Sequence, residues 1–217
     1  MNTDLTLTQI QQLVQNFIKQ RDWQQYHTTQ NAARNLLIEA GELAEVFVWV
    51  DGEEALNARI EESAENISHE IADVLYCLAD VAGSVGISLY DVVLEITQTL
   101  ERPLEEPTIG ALQQALAAEY LRVHGPLSIK QIVDQLVVGT ADMLVNILSG
   151  AYLDEQKNVV LPMKDLLFKL LFLDLIVAEI CRIHAGTAFI DKLLHNELKY
   201  PAEKVKGNFR KYTERKD

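Results

Sequence analysis

Apolar residues recur at helical spacing along almost the whole 217-residue chain, and the 10 glycines and 5 prolines fall between the periodic runs. That pattern confines the chain to an all-α architecture. A first helix is expected over residues 7–20, capped by Thr6 or Thr8. A second is expected over 31–50, stopped by Asp51-Gly52. The charged stretch 52–63 reads as loop or short helix, a third helix covers 64–85 and ends near Gly86, and a fourth starts near Ser88 and ends before Pro103. ERPLEEPTIG, residues 101–110, then reads as a linker.

Beyond the linker the pattern restarts. IQQLVQNFIKQ near the start is matched by LQQALAAEYLR, and GISLYDVVLEITQTLERP by AGTAFIDKLLHNELKYP, each about 100 residues later. The chain therefore divides into halves at 1–105 and 106–217, each a bundle of about four helices that buries its apolar face poorly alone. The 48% hydrophobic content suffices for one compact domain or two small fused units. The net charge of −13 repels nucleic-acid polymers, which need a basic face. Cys77 and Cys181 lie in apolar helical runs and read as reduced core residues. The start MNTDLTLTQI has neither a basic segment nor an apolar run of signal-peptide length, so a cytoplasmic location is expected. The run LLFKLLFLDLIVAEI is broken by Lys169, Asp174 and Glu179, which suits a core helix better than a membrane span.

Two acidic pairs stand inside apolar helical runs: Glu39 with Glu42, and Glu70 with Asp73. Spacing of i, i+3 puts each pair on one helix face. If the two helices pack together, four carboxylates converge. An oxygen-only cluster suits Mg²⁺ or Mn²⁺ and does not select zinc. A cation would also offset the cost of burying like charges. The competing reading is that these are ordinary solvated helix faces, which fits Glu61, Glu62 and Glu65 nearby; Glu45 is a further ligand or base candidate.

Glu-x-x-Glu followed, after 27 intervening residues, by Glu-x-x-Asp resembles the signature of the all-α nucleoside triphosphate pyrophosphatases, the MazG-like superfamily, and within it the branch of the dCTP pyrophosphatases. Three stretches carry the likeness: RDWQQYH leading through Asn31 into EAGELAEVFVW; HEIADVLYCL; and Lys192 to Pro201, KLLHNELKYP, followed by EKVKG and KY. The resemblance implies a MazG-like four-helix bundle in which Glu39, Glu42, Glu70 and Asp73 hold magnesium and a metal-activated water attacks the α-phosphorus of a (d)NTP, releasing pyrophosphate. It places Trp23, His27, Asn31 and Trp49 near the base and sugar. It places Lys192, Asn196, Lys199 and Tyr200 on the phosphate side. The residues themselves suit such roles: an indole stacks on a base, His or Asn reads its polar edge, and Lys192, Asn196 and Lys199 share one helix face. They also suit core packing, capping and a solvated C-terminal turn.

The chain departs from the family pattern in two ways. The acidic motifs lie in the first half and the Lys-Tyr-Pro segment in the second, where the places of the carboxylate pairs read VGTADMLV and LLFLDLIV. This arrangement reads as a fused pseudo-dimer with a degenerate second repeat, or else as one domain with a helical insertion between about Glu101 and Asp165. In addition, Cys77 stands where the family often has a tyrosine, and Tyr76, one step away, is expected to point elsewhere. The expected function is a Mg-dependent (d)NTP pyrophosphohydrolase for pool control or house-cleaning, with a nucleotide as the small-molecule partner and a possible homodimer of fused repeats. The alternatives are a nucleotide-binding protein of the same fold and a di-iron or di-manganese carboxylate bundle. The last is disfavoured because no histidine has a glutamate three residues before it; His69 has Asn66 there.

Overall fold

The computed structural model describes residues 4–99, 105–125, 128–154 and 156–208. Among these the chain is all-α, with ten helices: α1 (Leu7–Gln20), α2 (Thr29–Glu45), α3 (Glu53–Glu62), α4 (Ala64–Ser84), α5 (Leu89–Thr99), α6 (Ile109–His124), α7 (Ile129–Ser149), α8 (Leu161–Ile180), α9 (Ala185–Lys199) and α10 (Ala202–Val205). Residues 101–104 of the expected linker, and the Lys211-Tyr212 pair, lie outside the described residues.

Helix α1 begins where its cap predicts. Thr6 accepts from the Gln9 amide at 3.3 Å, and the Gln9 side chain accepts from the Thr6 amide at 2.9 Å, a reciprocal capping box. Thr28 caps α2 and Thr108 caps α6 through the same kind of bond. Helix α2 ends at Glu45, five residues short of the expected boundary. The Phe47, Val48 and Val50 amides bond three residues back instead of four. That tighter winding turns Phe47 and Val50 into the core and leaves Trp49 87% exposed. The charged stretch after Gly52 is helical, but α3 buries none of its side chains.

The helices pack in two matching sets. In the first half α4 packs on α1 and α2; in the second, α8 packs on α6 and α7. The halves join through α2 against α7 and α4 against α8, with α9 crossing onto α4 and α5 onto α8. Details recur as well. The buried Gln11 side chain donates to the Ile87 carbonyl at 2.8 Å and accepts from the Leu89 amide at 3.0 Å. The Gln113 side chain donates to the Ile183 carbonyl at 2.9 Å and accepts from the Ala185 amide at 3.1 Å. Each glutamine thereby satisfies the backbone groups exposed where a long helix ends and the next begins. The starts of α1 and α6 also meet, through the Ile109 amide and the Leu5 carbonyl at 2.7 Å.

One continuous apolar core runs through both halves, including Leu36, Phe47, Ile71 and Leu75 from the first and Leu136, Leu167, Leu171 and Phe189 from the second. Cys77 and Cys181 are buried and unbonded, as the sequence predicts. Helix α8 is buried along most of its length, as expected of the apolar run, and it carries Asp174 fully into the core. Neither Asp174 oxygen has a hydrogen-bond partner among the described residues, and burial pushes this carboxyl well above the ordinary range. Among the described residues one helix, α7, is long and apolar enough to cross a membrane by length and composition, with mean hydropathy 1.4; here it packs on α2 and α8.

Replacing either bridging glutamine strands one backbone donor and one acceptor. Gln11→Leu and Gln113→Leu are each expected to cost about 2–6 kcal/mol of stability, at roughly 1–3 kcal/mol per unsatisfied group. Urea unfolding monitored by circular dichroism reads the loss, and a cost below about 1 kcal/mol in either variant would remove the assigned role.

Candidate active site

Helix α4 lies between α2 and α9, so side chains from three helices meet along one of its faces. Helix α2 contributes Glu39, and α4 contributes Glu70 and Asp73. One carboxylate oxygen from each of these three lies within 4.8 Å of the other two. The fourth acid, Glu42, is exposed one turn further along α2 and lines a neighbouring cavity with Glu70. From the second half, Lys192 on α9 forms an ion pair with Asp73.

Crowding and burial oppose ionisation here. Burial, then Asp73, Glu42 and Glu70, push the Glu39 carboxyl up to about 8. Burial, then Asp73 and Glu42, push Glu70 up to about 7. Burial also raises Asp73, against the pull of Lys192. One buried Glu70 oxygen has no hydrogen-bond partner among the described residues. An orphaned carboxylate oxygen beside two further acids is a donor set that a hard divalent cation satisfies, through oxygen ligands alone. Glu39, Glu70 and Asp73 can therefore hold a metal.

The cluster forms one end of a cavity of about 240 Å³, where Glu39, Asp73 and Lys192 face Phe17, Trp23, His27, Asn35, Tyr76, Cys77, Asn196, Lys199 and Tyr200. The aromatic end is rigidly built. Trp23 stacks against His27 with centroids 6.3 Å apart and planes at 10°, and meets Phe17 and Tyr200 edge-on. Its indole N–H donates to the Val205 and Asn208 carbonyls at 3.2 Å each. His27 Nδ1 lies 2.6 Å from the carboxylate of buried Asp80. Arg21 is buried, donates to the Tyr200 carbonyl at 2.7 Å and covers the Phe17 ring at 3.4 Å, which ties the end of α9 to α1.

The structure thus gathers Trp23, His27, Glu39, Asp73, Lys192, Asn196, Lys199 and Tyr200 into one cavity, with Glu42 and Glu70 on its neighbour. It places two candidates elsewhere. Asn31 is exposed at the start of α2, where its amide donates to the Tyr26 carbonyl at 2.9 Å and its oxygen accepts from Arg34 at 3.0 Å. Asn35 lines the cavity instead. It precedes Glu39 by four residues and so shares its face, a spacing visible in the sequence. Trp49 lines the neighbouring cavity with Glu42 and Glu70, away from the aromatic end. The expectation that Tyr76 points elsewhere is overturned: Tyr76 and Cys77 both line the cavity, with Tyr76 edge-on to Phe17 at 6.0 Å. Phe17 and Asp80 carry no motif in the sequence and emerge only from the packing, whereas Arg21 opens the RDWQQYH stretch and its role appears only in the packing.

No protein-family model matches the chain, and no solved structure matches it. Among curated proteins the chain is similar to dCTP pyrophosphatase 1 of Homo sapiens, at 36% identity over 85 residues, which is 39% of this chain and 50% of that protein. It is similar also to dCTP pyrophosphatase 1 of Bos taurus, at 33% over 94 residues, covering 43% and 56% respectively. The chain spans about half the length of the curated relatives it matches.

The raised carboxyls fix a pH dependence. Glu39 and Glu70 hold protons in the folded chain at a pH where the unfolded chain has lost them, so metal-free stability falls as pH rises from about 5 through 8. A bound cation favours the ionised forms and reverses the penalty. The gain in Tm on adding Mg²⁺ is therefore expected to be larger at pH 8.5 than at pH 6, reaching the equivalent of roughly 3 kcal/mol at 100-fold excess over Kd. Glu70→Gln should flatten it. Thermal melts at both pH values check this, and an equal gain in wild type and variant would remove Glu70 from the cation site.

Proposed function

We propose that the protein is a Mg-dependent nucleoside triphosphate pyrophosphohydrolase, converting a (d)NTP and water to the monophosphate and pyrophosphate. The observation that carries this reading is the meeting, around one cavity, of carboxylates that can hold a cation, a lysine ion-paired to one of them, and an aromatic end lined by Phe17, Trp23, His27 and Tyr76. The similarity to dCTP pyrophosphatase 1 supports the same chemistry and makes dCTP the first substrate to test.

In this reading Glu39, Glu42, Glu70 and Asp73 would hold the metal, which would lower the pKa of water and neutralise phosphate charge. Trp23, Phe17 and Tyr76 enclose the base. His27, oriented by Asp80, and Asn35 face its polar edge. Lys192, Asn196 and Lys199 hold the phosphate nearest the nucleoside, with Tyr200 closing the end of α9. Water oxygen bonds to the α-phosphorus, its proton passes to a carboxylate such as Glu42 or Glu45, and the bridging oxygen leaves with pyrophosphate.

The reading extends to the whole chain. The matched helix pairings and the paired roles of Gln11 and Gln113 support a tandem of two repeats, 1–105 and 106–217, over an insertion in a single domain. A cytoplasmic location and a homodimer of such chains complete the proposal.

Purified protein incubated with Mg²⁺ and a panel of (d)NTPs is expected to release monophosphate and pyrophosphate from at least one. EDTA should abolish the release, and Glu70→Gln should lower it by about 100-fold or more. If nucleotide binds and no member of a panel including modified bases is cleaved, the protein is a nucleotide-binding module and the catalytic reading fails.

A further inference from the structure

The carboxylate cluster separates two cavities. Glu39 and Asp73 open on the aromatic one; Glu42 and Glu70 open on a second, of about 470 Å³, whose wall also carries Glu45, Trp49, Arg59 and Asn66. Lys192 serves only the first. A nucleoside triphosphate with its base among the aromatic rings and its α-phosphate at the carboxylates has two further phosphates to place, and the second cavity lies on the far side of the same acids.

Arg59 is the cation of that cavity. It comes from α3, a ten-residue helix that buries no side chain, has no side-chain cap and packs chiefly on α4. Among the described residues no helix stands between α7 and α8 as a counterpart of α3. Leu56 and Ile60 of α3 pack against the core from partly buried positions, and Arg59 between them lines the cavity. Three carboxylates share the cavity with Arg59, yet among the described residues Arg59 makes no ion pair within 4 Å. Its guanidinium is always charged and offers a planar fork of donors that matches phosphate oxygens. Asn66 adds an amide donor on the facing helix. The surrounding carboxylates repel a bare polyphosphate, so the cavity suits one carrying its divalent cation.

We infer that this second cavity receives the pyrophosphate end of the substrate, with Arg59 binding the β- and γ-phosphates. This rests on the triphosphate reading of the site. As the bond between the α-phosphorus and the bridging oxygen breaks, the electron pair stays on that oxygen and the charge develops on the departing pyrophosphate, where a positioned guanidinium stabilises it.

The test uses the full chain with magnesium pyrophosphate and, separately, dCMP with Mg²⁺, titrated into wild type, Arg59→Ala and Arg59→Lys. Calorimetry reads affinity, and quenching of the exposed Trp49 reports the cavity itself. Arg59→Ala is expected to weaken magnesium pyrophosphate about tenfold or more and to leave dCMP within about twofold, with Arg59→Lys intermediate because it keeps charge without the fork. If turnover occurs, kcat/KM for the triphosphate should fall by a comparable factor. Unchanged pyrophosphate affinity, an equal loss for dCMP, or no pyrophosphate binding by wild type would each overturn the inference. So would a lowered Mg²⁺ requirement with no change toward pyrophosphate, since that marks charge balance alone. If wild type cleaves no triphosphate but binds pyrophosphate through Arg59, the catalytic reading fails and this assignment stands. If wild type cleaves and Arg59→Ala cleaves equally well, the reverse holds.

Discussion

Three carboxylates within 4.8 Å of one another, half-buried, repel each other, and the helices around them must hold them against that repulsion. Helix α4 supplies the means. It is buried along one side by Ile67, Ile71, Leu75 and Leu78 and clasped by α1, α2, α8 and α9. Hydrophobic burial of that kind, about 25 cal/mol per Å² of apolar surface, is large beside the penalty of the cluster. The acids sit on the one face of α4 that turns toward α2 and α9, so the apolar pattern of the helix dictates where they converge. Lys192 then offsets part of the charge from across the boundary between the halves.

The second half shows what the same packing does without acids. Counted from the helix caps, Thr28 and Ser128, the place of Glu39 in α2 is held in α7 by Gly139. A Cβ at Gly139 would lie 2.8 Å from the Leu170 side chain and 3.9 Å from that of Leu166. Counted back from the glutamine-bridged turns at Ile87 and Ile183, Leu166 holds the place of Glu70. Where α2 and α4 keep a polar cleft, α7 and α8 close it with leucine packed against bare backbone. Burial opposes the charge of an acid at either position, as it does at Asp174, the one fully buried carboxyl of α8, which burial alone pushes well above the ordinary range.

Much of this was legible in the sequence because it is local. The Thr6 cap set the start of α1 and Gln20 its end, the apolar period identified α4 and α8 as core helices, and i, i+3 spacing put Glu70 with Asp73. What the sequence hid depends on winding and on distant packing. The second helix looked five residues longer because Phe47 and Val50 keep an apolar rhythm while the backbone tightens beneath them. Asn31 sits in a motif but its side chain is spent on the turn before α2, whereas Asn35 sits in none and faces the cavity. Tyr76 reaches the cavity beside Cys77 because α1 and α9 flank α4 from two directions, so adjacent residues can meet the same space. Arg59 lies in a stretch whose low apolar content says only that it is exposed.

The crossing of α9 onto α4 and of α5 onto α8 explains why the polar helix face survives on one and not on the other. A lysine, an asparagine and a second lysine on α9 face acids. Helix α5 lies against α8, where Leu166 and Lys169 occupy the places that Glu70 and Asp73 hold in α4. In a symmetric pair of identical chains one helix sequence would have to serve both roles. Under the proposed tandem, joining the halves in one chain would free each helix to fit its own neighbour, as Lys192 of α9 fits the acidic cluster of α2 and α4.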